Sequence, residues 1–403
     1  MELIYLGIVF AAIVILLICK RPLWQCILPG LVLMIVLYRL PIADAAMEVW
    51  RAVSEWSSLS VLLAMYLTAL LQNILEARGQ IKGAQRDLDH LFHHRRINTV
   101  GALLFIGLVP SAAAMLIGGQ IVRDNTEGYL KPKEQATAAS WLRHVPESSL
   151  PTYTSVLLLL SLAEVSAGAF MLCMIIPFAV LVGIGYVRYL RKIPKEPVEA
   201  VGDAPMGRGK ALLSLLGHLW SLLLVVVLIL ALNISVVPVL GIVIVLCLVV
   251  YRVKFSELLP MLGKSLHIKM MVNTLAVLLL KNFIGLSGVL TELPAIAEAL
   301  PLPAFLTFGL LLFAATVVSG GTGAIALVVP LAVGVLGANL PMAVYMASIC
   351  HAASQVSPTH VCVAVASEYF GVSLGETIKA TVPMSLLFAA LMTGYYLLLG
   401  LVL

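Results

Sequence analysis

The run VSGGTGAIALVVPLA (318–332) places Ser319-Gly320-Gly321-Thr322-Gly323 inside a stretch, Leu302 to Leu336, that holds no charged residue. Lipid offers nothing to hydrogen-bond a bare amide. Non-helical backbone at that depth survives only where it is buried in protein or lines a wet cavity. The flanks, Glu292 to Leu300 and Asn339 to Pro341, carry no Lys or Arg. The stretch is therefore expected to dip in from the outer face and return, with Ser319 to Gly323 at its tip. Ile97 to Ile121 is its counterpart, basic on both sides, with a tip at Pro110-Ser111-Ala112-Ala113-Ala114-Met115 and a return through Gly118-Gly119. It is expected to enter from the cytoplasmic face.

The rest of the chain suits a bilayer. Of 403 residues, 61% are hydrophobic and 11% charged, whereas a soluble domain is about a quarter charged. A hydrocarbon core of about 30 Å takes about 20 apolar residues per helix. Spans are expected near 2–19, 23–40, 58–75, 134–160, 167–190, 211–232, 235–252, 268–290, 341–366 and 378–401. Met1 to Cys19 lacks a basic start and a small-residue cleavage site, so it reads as a retained span. Of the 25 Lys and Arg, all but Arg39, Arg51, Arg143 and Lys281 fall in loops that one threading puts in the cytoplasm. That threading leaves both termini outside a cell inner membrane. The net charge of +5 thus orients the chain and gives no reason to expect nucleic acid. The six cysteines lie in apolar stretches without ligand-like spacing and read as packing residues.

The expected fold is an all-α polytopic membrane protein, about ten transmembrane helices plus two re-entrant hairpins in two inverted-topology repeats. Residues 1–192 form the first repeat, with scaffold 1–57, hairpin 97–122 and a broken helix 134–160. Residues 193–210, rich in Pro, Gly and charge, are a cytoplasmic linker. Residues 211–403 form the second repeat, with hairpin 302–337 and broken helix 341–366. A faint duplication accompanies this. Leu103, Leu104, Phe105, Val109 and Ser111 align without a gap on Leu311, Leu312, Phe313, Val317 and Ser319. Ser166, Pro177 and Pro146 align with Ser373, Pro383 and Pro358.

The two broken spans carry Arg143-His144-Val145-Pro146-Glu147-Ser148-Ser149 and Gln355-Val356-Ser357-Pro358-Thr359-His360. Interrupted helices in corresponding positions of two halves point to a transporter's binding site, with N–H ends for an anion and carbonyl ends for Na⁺. Ordinary kinks are the alternative, since Gly and Pro are frequent in membrane helices. A charge at mid-bilayer costs at least about 2.5–3.5 kcal/mol, so Arg143, His144 and Glu147 are functional candidates. An Arg143–Glu147 pair at helical spacing would be purely structural. Substrate contacts are expected from Ser111, Ala112, Arg143, His144, Ser319, Gly320, Gly321, Thr322, Ser357, Thr359 and His360. The coupling ion, H⁺ or Na⁺, is expected at Glu147, Ser148, Gly323 and Pro358. His360 could equally carry a proton or be a core histidine. Lys281 divides evenly between anion contact and interhelical pairing, and His218 reads as packing. Asp87, Asp89, His90, His93 and His94 lack a rigid metal-site spacing and read as a solvated amphipathic helix on the membrane face. No metal or other cofactor is expected.

The runs VPSAAAMLIGGQIV (109–122), WLRHVPE (141–147), VSGGTGAIALVVPLA (318–332) and QVSPTHVC (355–362) resemble an uncharacterised prokaryotic membrane family, domain-of-unknown-function family 401. That family is similar to the ion transporter superfamily of sodium/dicarboxylate, citrate, gluconate and arsenite carriers. The resemblance spans nearly the whole chain. It implies two hairpins, two unwound helices, a solute held between them, and a homodimer working as an elevator. The expected activity is secondary transport of a small anion, an organic acid, coupled to H⁺ or Na⁺. Ser319 to Gly323 lacks the Gly-Lys-Ser/Thr ending of a phosphate loop, so no ATP site is expected. Cation/proton antiport through Glu147 is the alternative. A membrane-embedded enzyme would need paired acids or a metal set, and the acidic residues are too dispersed. The expected partners are the solute and membrane lipid.

Overall fold

A computed structural model describes residues 2–19, 21–80, 83–84, 86–87, 94–108, 113–196, 207–232, 234–289 and 302–403, and among them every element is helical. The first half begins with α1 (Glu2–Ile18), α2 (Leu23–Leu37), α3 (Ile42–Ser54) and α4 (Trp56–Ala77). It continues with α5 (Arg95–Ile106), α6 (Ala113–Thr126), α7 (Pro132–Arg143), a 3₁₀ turn (Pro146–Ser148), α8 (Thr154–Ala163), α9 (Ala167–Cys173) and α10 (Ile175–Arg188). The second half holds α11 (Arg208–Leu232), α12 (Val236–Val250), α13 (Phe255–Ser265), α14 (Ile268–Leu286) and α15 (Ala304–Ser319). It ends with α16 (Gly321–Leu336), α17 (Leu340–Ser354), α18 (Val361–Tyr369) and α19 (Leu374–Val402).

Five helices are long and apolar enough to cross a bilayer: Trp56–Ala77, Ala167–Lys192, Gly209–Leu232, Ile268–Leu286 and Leu374–Val402. Shorter apolar helices surround them, including Leu23–Leu37, Val236–Val250 and Leu340–Ser354. This fits a membrane protein. The span expected at 167–190 is present as Ala167–Lys192, with a local turn at Met174 between α9 and α10. Pro177 has no N–H to give the carbonyl four residues back, that of Cys173, and the Tyr395 hydroxyl donates to that oxygen instead at 2.9 Å.

Two helices occupy stretches read as connections. α3 and α13 each lie just before the long helices α4 and α14. α3 packs on α4 and α14, and α13 packs on α4. The guanidinium of Arg78, the residue that caps the end of α4, holds Glu257 of α13 at 2.5 Å. That hydrogen bond, with the Lys254 amide, draws the Glu257 carboxyl below its ordinary range.

The solvated helix expected between Glu76 and Arg96 differs in one respect. Asp87 is buried, and its carboxylate meets His218 Nδ1 at 2.6 Å. A buried carboxylate needs such a partner, so His218 does more than pack. Asp89, His90 and His93 lie outside the described residues, as does the Glu292 to Leu300 flank.

Helix contacts divide into two groups. α1–α4 pack with α11–α14 through α2–α14, α3–α14, α4–α12, α4–α13 and α4–α14. α5–α10 pack with α15–α19 through α6–α18, α7–α18, α7–α19, α8–α16, α8–α17 and α10–α19. The groups meet along α4–α8, α14–α16, α9–α11 and α1–α15.

Candidate functional site

The site is assembled at three breaks in helical structure. The first separates α7 from α8. Pro146 and Pro151 bracket it, and between them only the short 3₁₀ turn Pro146–Ser148 forms. Arg143 and His144 end α7 and are buried, while the Glu147 side chain keeps 25% of its surface exposed. α5 closes on this break. A Cβ on Gly107 would stand 2.1 Å from the Arg143 carbonyl, so only glycine lets the two backbones meet. The Tyr153 hydroxyl donates to the Gly107 carbonyl and fixes the contact from the other side.

The second break is the one-residue tip between α15 and α16. Gly320 has φ 80° and ψ 163°, a region that belongs almost wholly to glycine. The third break, between α17 and α18, is sewn to that tip. Ser357 Oγ donates to the Val317 carbonyl at 2.9 Å and lies 2.8 Å from Thr359 Oγ1.

These elements enclose a cavity of about 360 Å³. Arg143, Glu147, Thr322 and His360 line it together with Cys362 and Tyr153. A smaller pocket of about 110 Å³ adjoins it and shares Glu147, Ser155, Thr322 and His360. Ser148, Gly321, His351 and Ser354 also face that pocket.

Hydrogen-bond chemistry fixes proton positions in the cluster. His144 Nδ1 lies 2.5 Å from the Ser140 carbonyl oxygen, which only accepts, so Nδ1 bears hydrogen. His144 Nε2 lies 3.0 Å from Arg143 Nη1, which only donates, so Nε2 presents its lone pair. His144 is thereby held neutral in one tautomer. His360 Nε2 is 3.1 Å from that same atom and must carry the hydrogen between them. The remaining ring nitrogen, His360 Nδ1, makes no hydrogen bond among the described residues. Arg143 Nη1 also donates to Cys362 Sγ at 3.5 Å. The Glu147 carboxylate lies 3.8 Å from His144 Nε2.

His144, His360 and Cys362 present two imidazoles and a thiol with ligand atoms within 4.8 Å of one another. That donor set would suit a soft divalent metal. The Arg143 guanidinium stands among the same atoms and donates to two of them. Those hydrogen bonds already occupy the His144 lone pair and the Cys362 sulfur that a metal would need, so the residues as arranged do not fit a metal.

The expected site residues separate as follows. Arg143, Glu147, Ser148, Gly321, Thr322 and His360 are brought to the two adjoining cavities. His144 stands behind them, and Ser357 holds the tip. Ser319 Oγ bonds back to the Ala315 carbonyl at 2.8 Å. Gly320, Gly323, Pro358 and Thr359 do not line either cavity. Ser111 and Ala112 lie outside the described residues. Lys281 pairs with Glu164 at 3.0 Å, away from both cavities. The sequence reading passed over Thr152, Thr154 and Ser155 just after the first break, Thr68 and Gln72 one turn apart on α4, and His267. Their only signal was polarity: Thr68 and Gln72 within an expected span, Thr152, Thr154 and Ser155 beyond the expected break of another, and His267 between two.

A family described as a protein of unknown function (DUF401) matches residues 3–399. The chain belongs to this family. No curated protein matches it.

Proposed function

We propose that this DUF401 protein is a secondary transporter of a small anion, an organic acid, built as ten membrane crossings and two hairpins in two inverted halves. One observation carries this. Arg143 and Glu147 from the first break, Thr322 from the second hairpin and His360 from the other break face a single cavity. At about 360 Å³ it falls in the range of small-molecule sites, roughly 300–1,000 Å³. Arg143 offers the fork that a carboxylate takes, and the hydroxyls around it suit oxygen-rich solutes.

The contact pattern supports the two halves. α6 packs on its own α7 and on α18 across the repeat; α16 packs on its own α17 and on α8 across the repeat. α3 reaches α14, and α13 reaches α4. Each relation has its exchanged partner, and the five crossings of each half invert the second. The division into α1–α4 with α11–α14 and α5–α10 with α15–α19 supports an elevator, one group moving against the other.

The hydrogen-bond order favours H⁺ over Na⁺ as the coupling ion. Both ring nitrogens of His144 and Nε2 of His360 are engaged, so His360 Nδ1 is the position of the pair that can take up a further proton. An anion against Arg143 and a proton on His360 stabilise one another, which is the sign needed for symport. Cation/proton antiport is the second reading, favoured by Glu147 facing both cavities.

Uptake by proteoliposomes under imposed proton or sodium gradients tests the proposal against a panel of organic acids and inorganic oxyanions. Arg143→Ala and Arg143→Lys should both abolish uptake while the protein stays folded. Lysine keeps the charge but not the fork. Wild-type uptake in either variant would remove Arg143 from the mechanism, and no uptake of any acid by folded wild type would overturn the proposal.

A further inference from the structure

A second cavity, about 430 Å³, lies at the other end of α4 from the candidate site. Along α4 it is lined by Trp56, Ser57, Ser60, Val61 and Ala64, whereas the site cavity is lined by Met65, Tyr66, Thr68, Ala69 and Gln72. The changeover falls between two adjacent residues. α8 repeats the division in the opposite direction, with Thr154 and Ser155 on the site cavity and Leu157, Leu160, Ser161 and Glu164 on the second. The two cavities therefore sit end to end on one antiparallel seam. From Trp56 to Gln72 that seam runs ~24 Å at 1.5 Å per residue, most of a hydrocarbon core.

Both cavities carry polar side chains among their lining. The second carries Ser57, Ser60, Ser161, Ser166, Ser235 and the Glu164 carboxylate. What separates them is apolar. Val61, Ala64, Met65 and Leu157 form one buried cluster, with Val236 and Val237 packed against it. Val61, Ala64 and Leu157 face the second cavity and Met65 faces the first, so the cluster is a bar one layer thick. An apolar constriction that narrow excludes water and blocks polar solutes by dewetting.

We propose that the serine-lined cavity is the opposite mouth of the solute path, and that Val61, Ala64, Met65 and Leu157 are the closed gate between mouth and site. This rests on the transport reading, and it adds where the small polar solute leaves the site and what holds it back. α4 and α8 belong to the two different helix groups. Sliding one past the other draws Leu157 away from Val61, Ala64 and Met65, which is how the gate would part and the site exchange one mouth for the other.

The test needs no knowledge of the physiological solute. Wild type and variants are reconstituted into liposomes loaded with radiolabelled glycine or mannitol, neither of them an organic anion, and passive efflux is followed without any ion gradient. Wild type should match protein-free liposomes. Met65→Ala with Leu157→Ala should raise efflux of both probes at least tenfold. Since that pair empties volume and could unfold the protein, Val61→Thr with Leu157→Asn is measured in parallel. It keeps the number of side-chain heavy atoms and wets the bar, and it should leak as well. Background efflux from both variants, each shown to be folded and monodisperse, would overturn the gate. Gradient-driven uptake by wild type is scored separately in the same liposomes. Uptake with no leak in the variants defeats the gate alone, and leak in the variants with no uptake defeats the transport reading alone.

Discussion

Arg143 decides which chemistry the cluster around it can perform. Its Nη1 donates to His144 Nε2 and to Cys362 Sγ, so two soft ligands are engaged by hydrogen bonds and held away from metal. The two imidazole Nε2 atoms stand 3.1 Å apart, close to the ~3.3 Å edge of a tetrahedral zinc site with Zn–N bonds of about 2.0–2.1 Å. Removing the guanidinium should therefore expose a metal site that the wild type conceals. Arg143→Ala is expected to gain a thermal shift on adding micromolar Zn²⁺, and Arg143→Ala with Cys362→Ala to lose most of it. An equal shift in wild type would mean that Arg143 does not guard these atoms. The charged members of the cluster were legible in the sequence because a charge in an apolar run is conspicuous. The hydroxyls were not. A Ser or Thr within a helix can bond back to its own turn, as Ser319 does to Ala315, so its presence says little about whether it faces a cavity. Thr152, Thr154 and Ser155 became site residues only when the helix was seen to restart at Thr154.

Among the elements, the joint between α5 and the first break is the most exacting. Adding one methyl at Gly107 sets a carbon 2.1 Å from the Arg143 carbonyl and 2.9 Å from the Pro146 ring. Backbone cannot yield as a side-chain end can, so Gly107→Ala should cost toward the upper end of the roughly 1–3 kcal/mol typical of overpacking. It should also pull Arg143 out of register and lower uptake. Gly285 in α14 has nothing within 4 Å of such a carbon. Gly285→Ala should instead gain up to about 1 kcal/mol from helix propensity. Thermal melts of the pair in detergent check both signs. The tie between α4 and α13 makes a pH prediction. Arg78 holds the Glu257 carboxyl below its ordinary range, so its stabilising contribution exists above the unfolded-state value and disappears as pH falls through the lowered folded value. Glu257→Gln should melt earlier than wild type at pH 7, and the gap should close in strongly acidic buffer. α13 itself was missed for the same reason as α3. Each is amphipathic, and each carries too much polarity to read as a span, so its stretch looked like connection. Proline and glycine, by contrast, marked all three breaks, because both act on the backbone whatever packs around them.

At the scale of the whole molecule, the proposed elevator requires motion to be largest where the two helix groups face one another and smallest within each. The α4–α8 seam is between groups, and the α15–α17 contact is within one. Ala64 and Leu157 share a buried cluster across the seam. Thr316 on α15 lies 3.7 Å by its hydroxyl from the sulfur of Cys350 on α17. Two cross-links therefore separate an elevator from a rigid pore. Oxidising Ala64→Cys with Leu157→Cys should pin one group to the other and stop uptake, with recovery on reduction. Oxidising Thr316→Cys against the native Cys350 should leave uptake within about twofold of the reduced protein, since both ends travel together. The sequence sign of such a division is faint, a few matched Leu, Val, Ser and Pro residues. Membrane helices ask mainly for apolarity, so two halves can keep the same contacts while losing nearly all identity. If the seam cross-link leaves transport intact, the groups do not slide, and solute must pass by local opening of the breaks alone.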